Sequence, residues 1–158
     1  MNYIIREMRE EEYPLLRDIL YEAIFLPEGA DPPPRSILDR EELTVYIRDF
    51  GKMPADKCFL AQADGQTAGA VWVRIMEDYG HIDDETPSFA IALYKQYRGQ
   101  GIGTALMNKM LRELKKDGFK RASLAVQKEN YAVKMYRRAG FKVVRERDAE
   151  YIMVCDLK

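Results

Sequence analysis

The stretch QYRGQGIGTAL at residues 96–106 decides the fold of this chain, because three closely spaced glycines separate two segments of clear periodicity. The apolar segment 88–94, SFAIALY, precedes it and is typical of a central strand. After it, apolar residues recur every four positions from Ile102 to Leu114, which predicts a long helix with one buried face. Gly118 stands where a helix-ending glycine is expected. The sequence therefore predicts a strand, a glycine turn and a helix in direct succession.

The glycine turn has the features of an anion-binding site. Consecutive backbone N–H groups in a tight turn form a concave donor site, and the helix start adds partial positive charge. Glycine lacks the Cβ that would hold an anion away, and an arginine can donate two hydrogen bonds to a phosphate. A turn needed only for tight packing would also use glycines, but the flanking strand, helix and arginine favour the anion site. The predicted phosphate-binding residues are Arg98, Gly99, Gln100, Gly101, Ile102, Gly103 and Thr104.

The spacing of the glycines disfavours two other phosphate motifs. The dinucleotide pattern G-x-G-x-x-G needs a third glycine, but the position holds Thr104 when counted from Gly99 and Leu106 when counted from Gly101. The P-loop sequence G-K-[ST] does not occur in the chain. A nucleotide-cofactor oxidoreductase is therefore disfavoured.

The remaining segments complete a mixed α/β order, βααβββαβαββ, which we interpret as a single domain over residues 1–158. Asp39 and Glu42 form a D-x-x-E helix-start signal, and we expect that helix to end near residues 50–51. Gly65 and Gln66 separate two apolar segments and predict a hairpin. The predicted elements are strand 3–7, helix 15–24, helix 39–51, strands 58–64, 67–75 and 88–94, helix 102–118, strand 121–126, helix 131–139, and strands 142–147 and 151–157.

The composition excludes several classes of protein. The 158 residues carry a net charge of −1, which argues against a broad nucleic-acid-binding surface, and no apolar segment is long enough to span a bilayer. Cys58 and Cys155 are far apart and His81 is the only histidine, so we expect neither a disulfide framework nor a metal site. The N-terminal sequence lacks the pattern of a signal peptide, and we expect a cytoplasmic protein.

Two motifs resemble those of the GCN5-related N-acetyltransferases, the GNAT family. The first is the pattern [RQ]-x-x-G-x-[GA], which Arg98, Gly101 and Gly103 match. The second is NYAVKMYRRAGF at residues 130–141, which is similar to the family pattern N-x-x-[AS]-x-x-x-Y-x-x-x-G-F with minor variation in spacing. The order of elements agrees over nearly the whole chain, whereas the loops 26–36 and 79–87 lie outside the motifs.

The resemblance implies a fold in which the strand before the glycine turn splays from its neighbour and leaves a wedge for acetyl-CoA. Main-chain groups of Ile91 and Leu93 would then pair with the pantetheine arm, and the Leu93 amide would polarise the thioester carbonyl. The diphosphate would rest on the amides from Arg98 to Thr104, and Asn130 would contact the arm of the coenzyme. Three cations would lie either near the 3′-phosphate or on a solvated basic face: Lys134, Arg137 and Arg138.

The resemblance also assigns a catalytic role to Tyr136, whose hydroxyl would protonate the CoA thiolate as it leaves. Since Ala132, Tyr136 and Ala139 share one helical face, a role in core packing is the alternative. Direct transfer to the acceptor is favoured, because neither cysteine has a neighbouring histidine signal. A non-catalytic acyl-CoA-binding or sensor module on the same fold remains the competing hypothesis.

The acceptor side of the site is less defined by the sequence. Candidates for the general base are Glu28, His81, Asp83, Asp84 and Glu85, although the sequence favours a solvated loop charge for each of them. The acidic loop residues could instead attract a cationic amine. Trp72, Tyr79 and Tyr94 are candidates for an acceptor pocket or for packing on the sheet. The expected partner is an amine on a small molecule or a peptide. Because homodimers are common in the family that the chain resembles, a homodimer is also possible.

Overall fold

A computed structural model describes residues 2–78 and 80–157 of the chain. Seven strands of the described residues form one sheet in the order β1-β2-β3-β4-β5-β7-β6. All neighbouring strands are antiparallel except β4 and β5, which run parallel. The strands are β1 (Tyr3–Glu7), β2 (Lys57–Ala63), β3 (Gln66–Arg74), β4 (Ser88–Leu93), β5 (Arg121–Gln127), β6 (Phe141–Arg147) and β7 (Glu150–Asp156). The predicted mixed α/β architecture is confirmed.

Helices cover both faces of this sheet. The described residues form the α-helices α1 (Leu16–Ala23), α2 (Glu41–Thr44), α3 (Ile102–Lys116) and α4 (Ala132–Ala139), and short 3-10 helices span Glu10–Leu15, Arg35–Asp39 and Lys95–Tyr97. Helices α3 and α4 pack on one face over Phe89, Leu124 and Met153. Helix α1 packs on the opposite face over Leu60 and Trp72. We call these the α3/α4 face and the α1 face.

The predicted helix over residues 39–51 is wrong in extent. Helix α2 covers only Glu41–Thr44 and begins after the extended residue Arg40, so Asp39 does not cap it. Side chains of β3 bind the carbonyls that a longer helix would use: Trp72 Nε1 donates to Tyr46 O at 3.1 Å, and Arg74 Nη1 donates to Val45 O at 3.1 Å. Helical turns persist after Thr44, as where Arg48 N donates to Thr44 O at 2.8 Å, but the regular α-helix ends there because side chains of β3 bind the carbonyls that follow.

The first helix also differs in detail from the prediction. Its N-terminal part is a 3-10 helix over Glu10–Leu15 that contains Pro14, and regular α-helix begins at Leu16. The hairpin between β2 and β3 is confirmed, but its turn is formed by Asp64 and Gly65, with φ of 51° and 80°. Two positive φ values are typical of the type I′ turn, whose twist suits neighbouring antiparallel strands.

Strands β4 and β5 pair at one register position only, Ser88 opposite Ser123. Ser123 N donates to Pro87 O at 2.9 Å, and the two serine hydroxyl oxygens lie 3.3 Å apart. Beyond this point the strands separate toward Leu93 and Gln127, where no further pairing occurs between these two described strands. The splayed central strand pair is confirmed, and it leaves a wedge that is closed at the serines and open at the carboxyl ends.

Within residues 2–78 and 80–157, none of the helices combines the length and the apolar character needed to cross a bilayer. The same residues contain no group of three or more His, Cys, Asp or Glu side chains arranged to hold a metal ion. Cys58 and Cys155 are both buried free thiols.

Candidate active site

A cavity of about 630 Å³ fills the wedge between β4 and β5. It is lined by both strands, by the glycine turn, by α4 and the residues before it, and by the end of α1. Of the site residues predicted from the sequence, nine contribute to this lining: Ile91, Leu93, Arg98, Gly99, Gly101, Gly103, Thr104, Asn130 and Tyr136. Gln100 is exposed and Ile102 is buried in the core, and their side chains do not line the cavity.

Main-chain groups of β4 face the wedge at alternate residues. Tyr94 N donates to Ala68 O at 2.9 Å, so Tyr94 forms a hydrogen-bonded pair with β3. Because such pairs alternate along antiparallel strands, the amides and carbonyls of Ile91 and Leu93 point away from β3. They point toward β5, in the same direction as the Pro87 carbonyl, which binds the Ser123 amide of β5. At residues 91 and 93, however, β5 is no longer paired with β4. Residues 91 and 93 therefore present main-chain groups to the cavity.

The glycine turn also presents free main-chain donors. Gly99 and Gly101 have φ of 75° and 86°, and a Cβ added to either would meet no atom within 4 Å. In the part of the chain that the structure describes, the amides of residues 99–104 have no hydrogen-bond acceptor. The Arg98 amide differs, because it donates to Lys95 O at 3.3 Å. Six consecutive N–H groups thus lie at the start of α3 with open space beside the two glycines.

The side chain of Arg98, for which the sequence predicts a bidentate phosphate contact, binds main-chain carbonyls in this structure. Its Nε donates to Leu93 O at 3.0 Å, and its Nη2 donates to Glu22 O at 3.1 Å. The Glu22 carboxylate lies 3.9 Å from the same Nη2. The guanidinium is therefore held by two carbonyls in this arrangement, and it connects the end of β4 to α1.

Asn130 stands at the start of α4, beside the cavity. Its Oδ1 accepts a hydrogen bond from the Ala132 amide at 2.9 Å, and its carbonyl accepts from the Val133 amide at 3.1 Å. The side chain thus closes an Asx turn just before α4. Since only the oxygen is used by this turn, the Nδ2 group has no acceptor among the described residues and is available to a bound molecule.

Tyr136 is both a core residue and a cavity residue. Its ring packs against Phe141 with centroids 6.0 Å apart, and it belongs to the α3/α4 core. No described group forms a hydrogen bond with its hydroxyl. Because every fully buried side-chain oxygen of the described residues has a hydrogen-bond partner, this hydroxyl is not fully buried. Since Tyr136 lines the cavity, we place the hydroxyl at the cavity surface. Burial raises the pKa of Tyr136, which keeps the phenol protonated at neutral pH.

The five base candidates from the sequence do not line the cavity: Glu28, His81, Asp83, Asp84 and Glu85. Asp83 accepts hydrogen bonds from Thr86 Oγ1 and the Glu85 amide, which hold its carboxyl pKa below the usual value. Nδ1 of His81 lies 2.8 Å from Met76 O. Glu28 is exposed on the loop after α1.

Among the described residues, the cavity lining instead contains three carboxylates that were not candidates for the general base: Glu22, Glu42 and Glu150. They come from α1, α2 and β7, and no local motif connects them. A fourth carboxyl, Asp78, lies next to the lining and accepts hydrogen bonds from Tyr46 Oη at 2.8 Å and Ser88 Oγ at 3.0 Å. Burial raises the pKa of Asp78.

The remaining predicted residues have mixed positions. Arg138 lines the cavity, Lys134 is exposed, and Arg137 is exposed with its guanidinium 5.9 Å from the Tyr151 ring centroid. Trp72 is fully buried and packs under α1, so it is a core residue. Tyr94 packs against the same core, and Tyr79 lies outside the described residues.

The sequence model of the Acetyltransferase (GNAT) family matches residues 3–141. The chain is 31% identical over 103 residues to an uncharacterized N-acetyltransferase of Methanocaldococcus jannaschii, with 61% of this chain and 44% of that protein covered. It is 30% identical over 118 residues to the mycothiol acetyltransferase of Corynebacterium efficiens, with 74% and 36% covered. The chain thus spans less than half the length of these curated relatives.

Solved structures share the fold over nearly the whole chain. The ribosomal-protein-S18-alanine N-acetyltransferase of Escherichia coli gives a TM-score of 0.71 at 19% identity, with 99% of this chain and 95% of that chain covered. PaiA N-acetyltransferase of Thermoplasma acidophilum, in complex with coenzyme A, gives 0.71 at 20% identity with 99% of both chains covered. The yncA protein of Salmonella typhimurium, with acetyl-CoA, gives 0.73 at 14% identity with 100% and 95% covered.

Proposed function

The chain belongs to the GNAT family of acetyltransferases, and on that premise we propose that it is an acetyl-CoA-dependent N-acetyltransferase. The transfer is direct, from the CoA thioester to an amine of the acceptor. One observation carries this proposal: the splayed strands enclose a cavity bordered by free main-chain donors on one side and by the hydroxyl of Tyr136 on another. Structures with the same fold contain coenzyme A or acetyl-CoA, which supports the choice of cosubstrate.

The free amides of residues 99–104 would bind the diphosphate. They converge at the start of a 15-residue helix, where backbone donors and the helix dipole both favour negative charge. The absence of a Cβ at Gly99 and Gly101 leaves room for phosphate oxygens close to the main chain. Gln100 and Ile102 would contribute through their amides only, which agrees with side chains that lie outside the cavity.

Ile91 and Leu93 would bind the pantetheine arm as a short additional strand. Their main-chain groups face the wedge and have no partner on β5. Apart from the Leu93 carbonyl, which accepts from Arg98 Nε, they are open to an amide of the arm. The Leu93 N–H would donate to the thioester carbonyl and stabilise the oxyanion that forms on attack. Asn130 would donate from Nδ2 to the arm from the other side of the wedge.

Tyr136 would act as the general acid. The amine nitrogen attacks the carbonyl carbon, a C–N bond forms, and the C–S bond breaks with its electron pair leaving on sulfur. The Tyr136 O–H protonates this thiolate, and the tyrosinate regains a proton from the N⁺–H of the newly acylated nitrogen. Burial raises the pKa of Tyr136, so the phenol is present at neutral pH in the protonated form that a general acid needs.

An amine screen with a free-thiol readout tests the proposal. The protein is incubated with acetyl-CoA and, separately, with tyramine, spermidine, L-lysine and short peptides with free N-termini, and thiol release is followed in time. Acetylated product by mass spectrometry is the expected result for at least one acceptor class. Tight acetyl-CoA binding by calorimetry with no product from any amine would instead favour the non-catalytic acyl-CoA-binding module.

A further inference from the structure

The three carboxylates of the cavity lining differ in their surroundings. Glu22 lies 3.9 Å from the Arg98 guanidinium, so its charge is partly compensated. Glu42 is exposed on the short helix α2. Glu150 is half-buried, and none of the described residues forms a hydrogen bond or an ion pair with its side chain. Glu150 is therefore the lining carboxylate that combines partial burial with a vacant acceptor position.

Glu150 reaches the cavity from the face opposite Tyr136. It is the first residue of β7 and stands in register with Gln127 at the end of β5. The alternate residues Val126 and Tyr151 belong to the α3/α4 core together with Tyr136. Since successive side chains of a strand point to opposite faces, Gln127 and Glu150 are on the α1 face. An acceptor entering from the α1 face would therefore be on the same side of the sheet as Glu150.

The charges around Glu150 favour proton uptake. Burial raises the pKa of its carboxyl, the cation of Arg147 across the β6–β7 turn lowers it, and the Asp78 carboxyl from the loop after β3 raises it. The nearby Lys128 forms an ion pair with Glu146, 2.9 Å between Nζ and Oε1. A carboxylate with a raised pKa is a stronger base near neutral pH than an ordinary surface glutamate.

Asp78 is the competing base on the same face. Its two carboxyl oxygens already accept hydrogen bonds from Tyr46 and Ser88, and Asp78 itself does not line the cavity. A proton from the acceptor could reach it only through another group. Direct contact with an acceptor is therefore open to Glu150 and closed to Asp78.

We infer that Glu150 is the general base, the group that takes the first proton from the acceptor ammonium before attack. This inference rests on the proposed N-acetyltransferase activity. In the step, an N–H bond of the R–NH₃⁺ group breaks, its electron pair stays on nitrogen, and the proton binds a carboxylate oxygen of Glu150. The neutral amine then attacks the thioester, and Glu150 releases the proton to solvent after product leaves. Glu150 thus works on the α1 face while Tyr136 protonates sulfur on the α3/α4 face.

The kinetic test compares E150Q with E146Q across pH, using tyramine and spermidine as acceptors. E146Q is the matched control, because Glu146 carries the same side chain on the neighbouring strand and is largely exposed. At pH 7, kcat/KM of E150Q is expected to fall by about 100-fold or more. The deficit should shrink as pH rises toward the pKa of the amine, since less of the acceptor then needs a base. A deficit that stays constant with pH, or activity equal to E146Q, would overturn the assignment.

If neither amine is acetylated, the result counts against the proposed function and leaves the role of Glu150 undecided. A second measurement therefore tests Glu150 without acetylation. Protein labelled with ¹³Cδ-glutamate is titrated by NMR, and the Glu150 resonance is identified by its loss in E150Q. The expected midpoint lies above that of exposed glutamates, rises further with coenzyme A as the cavity is desolvated, and falls with tyramine as a cation approaches. An ordinary midpoint that neither compound moves would refute the role of Glu150.

Discussion

Arg98 Nε donates a hydrogen bond to the carbonyl of Leu93 at 3.0 Å, which fixes the end of β4 from the glycine turn that follows it. The same guanidinium reaches back to the Glu22 carbonyl at the end of α1. One planar side chain thus holds three segments that all line the cavity. Because the Leu93 amide is the proposed oxyanion donor, Arg98 would influence catalysis by positioning the main chain.

The variant R98K separates this positioning role from a direct phosphate contact. Lysine keeps the positive charge but cannot donate to two carbonyls in the fixed geometry of the guanidinium. We expect R98K to weaken acetyl-CoA binding by about tenfold, similar to R98A, with little dependence on salt. Calorimetry at two salt concentrations measures this. Near-normal, strongly salt-dependent binding by R98K would show that charge on a phosphate matters instead.

The variant G101A tests the open space beside the glycine turn. An alanine at φ of 86° is strained, and its Cβ would occupy the space proposed for phosphate oxygens. Gly118 provides the matched control, since it ends the same helix with φ of 91° and equally open space but lies outside the cavity lining. We expect both alanine variants to lose similar stability in urea, while only G101A loses acetyl-CoA affinity in calorimetry. Equal affinities would contradict the phosphate cradle.

Local signals in the sequence predicted the fold correctly wherever neighbouring residues decide the structure. The glycine turn, the long helix after it and the helix stop at Gly140 with φ of 111° all depend on residues close together in the chain. The α2 segment failed for the opposite reason. Asp39 and Glu42 form a valid local start signal, but Trp72 and Arg74 of a distant strand bind the carbonyls that follow.

The acceptor side of the site could not be predicted for the same physical reason. The charges of the loop 81–85 are adjacent in sequence, which made them candidates, yet Asp83 binds Thr86 and Arg121, and His81 contacts the Met76 carbonyl. Glu22 and Glu150 are separated by most of the chain. They line the same cavity because β7 pairs with β5 and because α1 packs against β4. The sequence predicts that successive side chains of β7 lie on opposite faces of the sheet, but it does not predict which strands are neighbours.

The variant Y136F tests the general acid. Phenylalanine keeps the packing against Phe141 and removes only the hydroxyl. We expect kcat to fall by about 100-fold or more, while acetyl-CoA affinity and the urea midpoint change little. Because the phenol is the active form and burial raises its pKa, wild-type activity should not decline with rising pH through the neutral range on account of Tyr136. Unchanged kcat in Y136F with an acceptor of the wild-type protein would remove Tyr136 from the mechanism.

The loop after α2 is held by an ion pair that is almost completely buried, and its loss should destabilise the fold. Arg74 and Asp56 have side chains 5% and 0% exposed, with Nη2 and Oδ2 2.9 Å apart. Asp56 also accepts hydrogen bonds from the amides of Gly51 and Met53. Replacing Arg74 with leucine would leave a buried carboxylate without its cation, which costs about 3–5 kcal/mol of unfolding free energy.

Urea denaturation of R74L measures this loss, with R48L as the matched control. Arg48 pairs with Glu41 at the surface, where solvent screens the charges, so R48L should leave the midpoint nearly unchanged. In the double variant R74L/D56L, we expect only partial recovery, because the Gly51 and Met53 amides lose their acceptor as well. If R74L and R48L shift the midpoint equally, the buried pair does not hold this loop, and the positions of Tyr46 and α2 beside the cavity depend on packing alone.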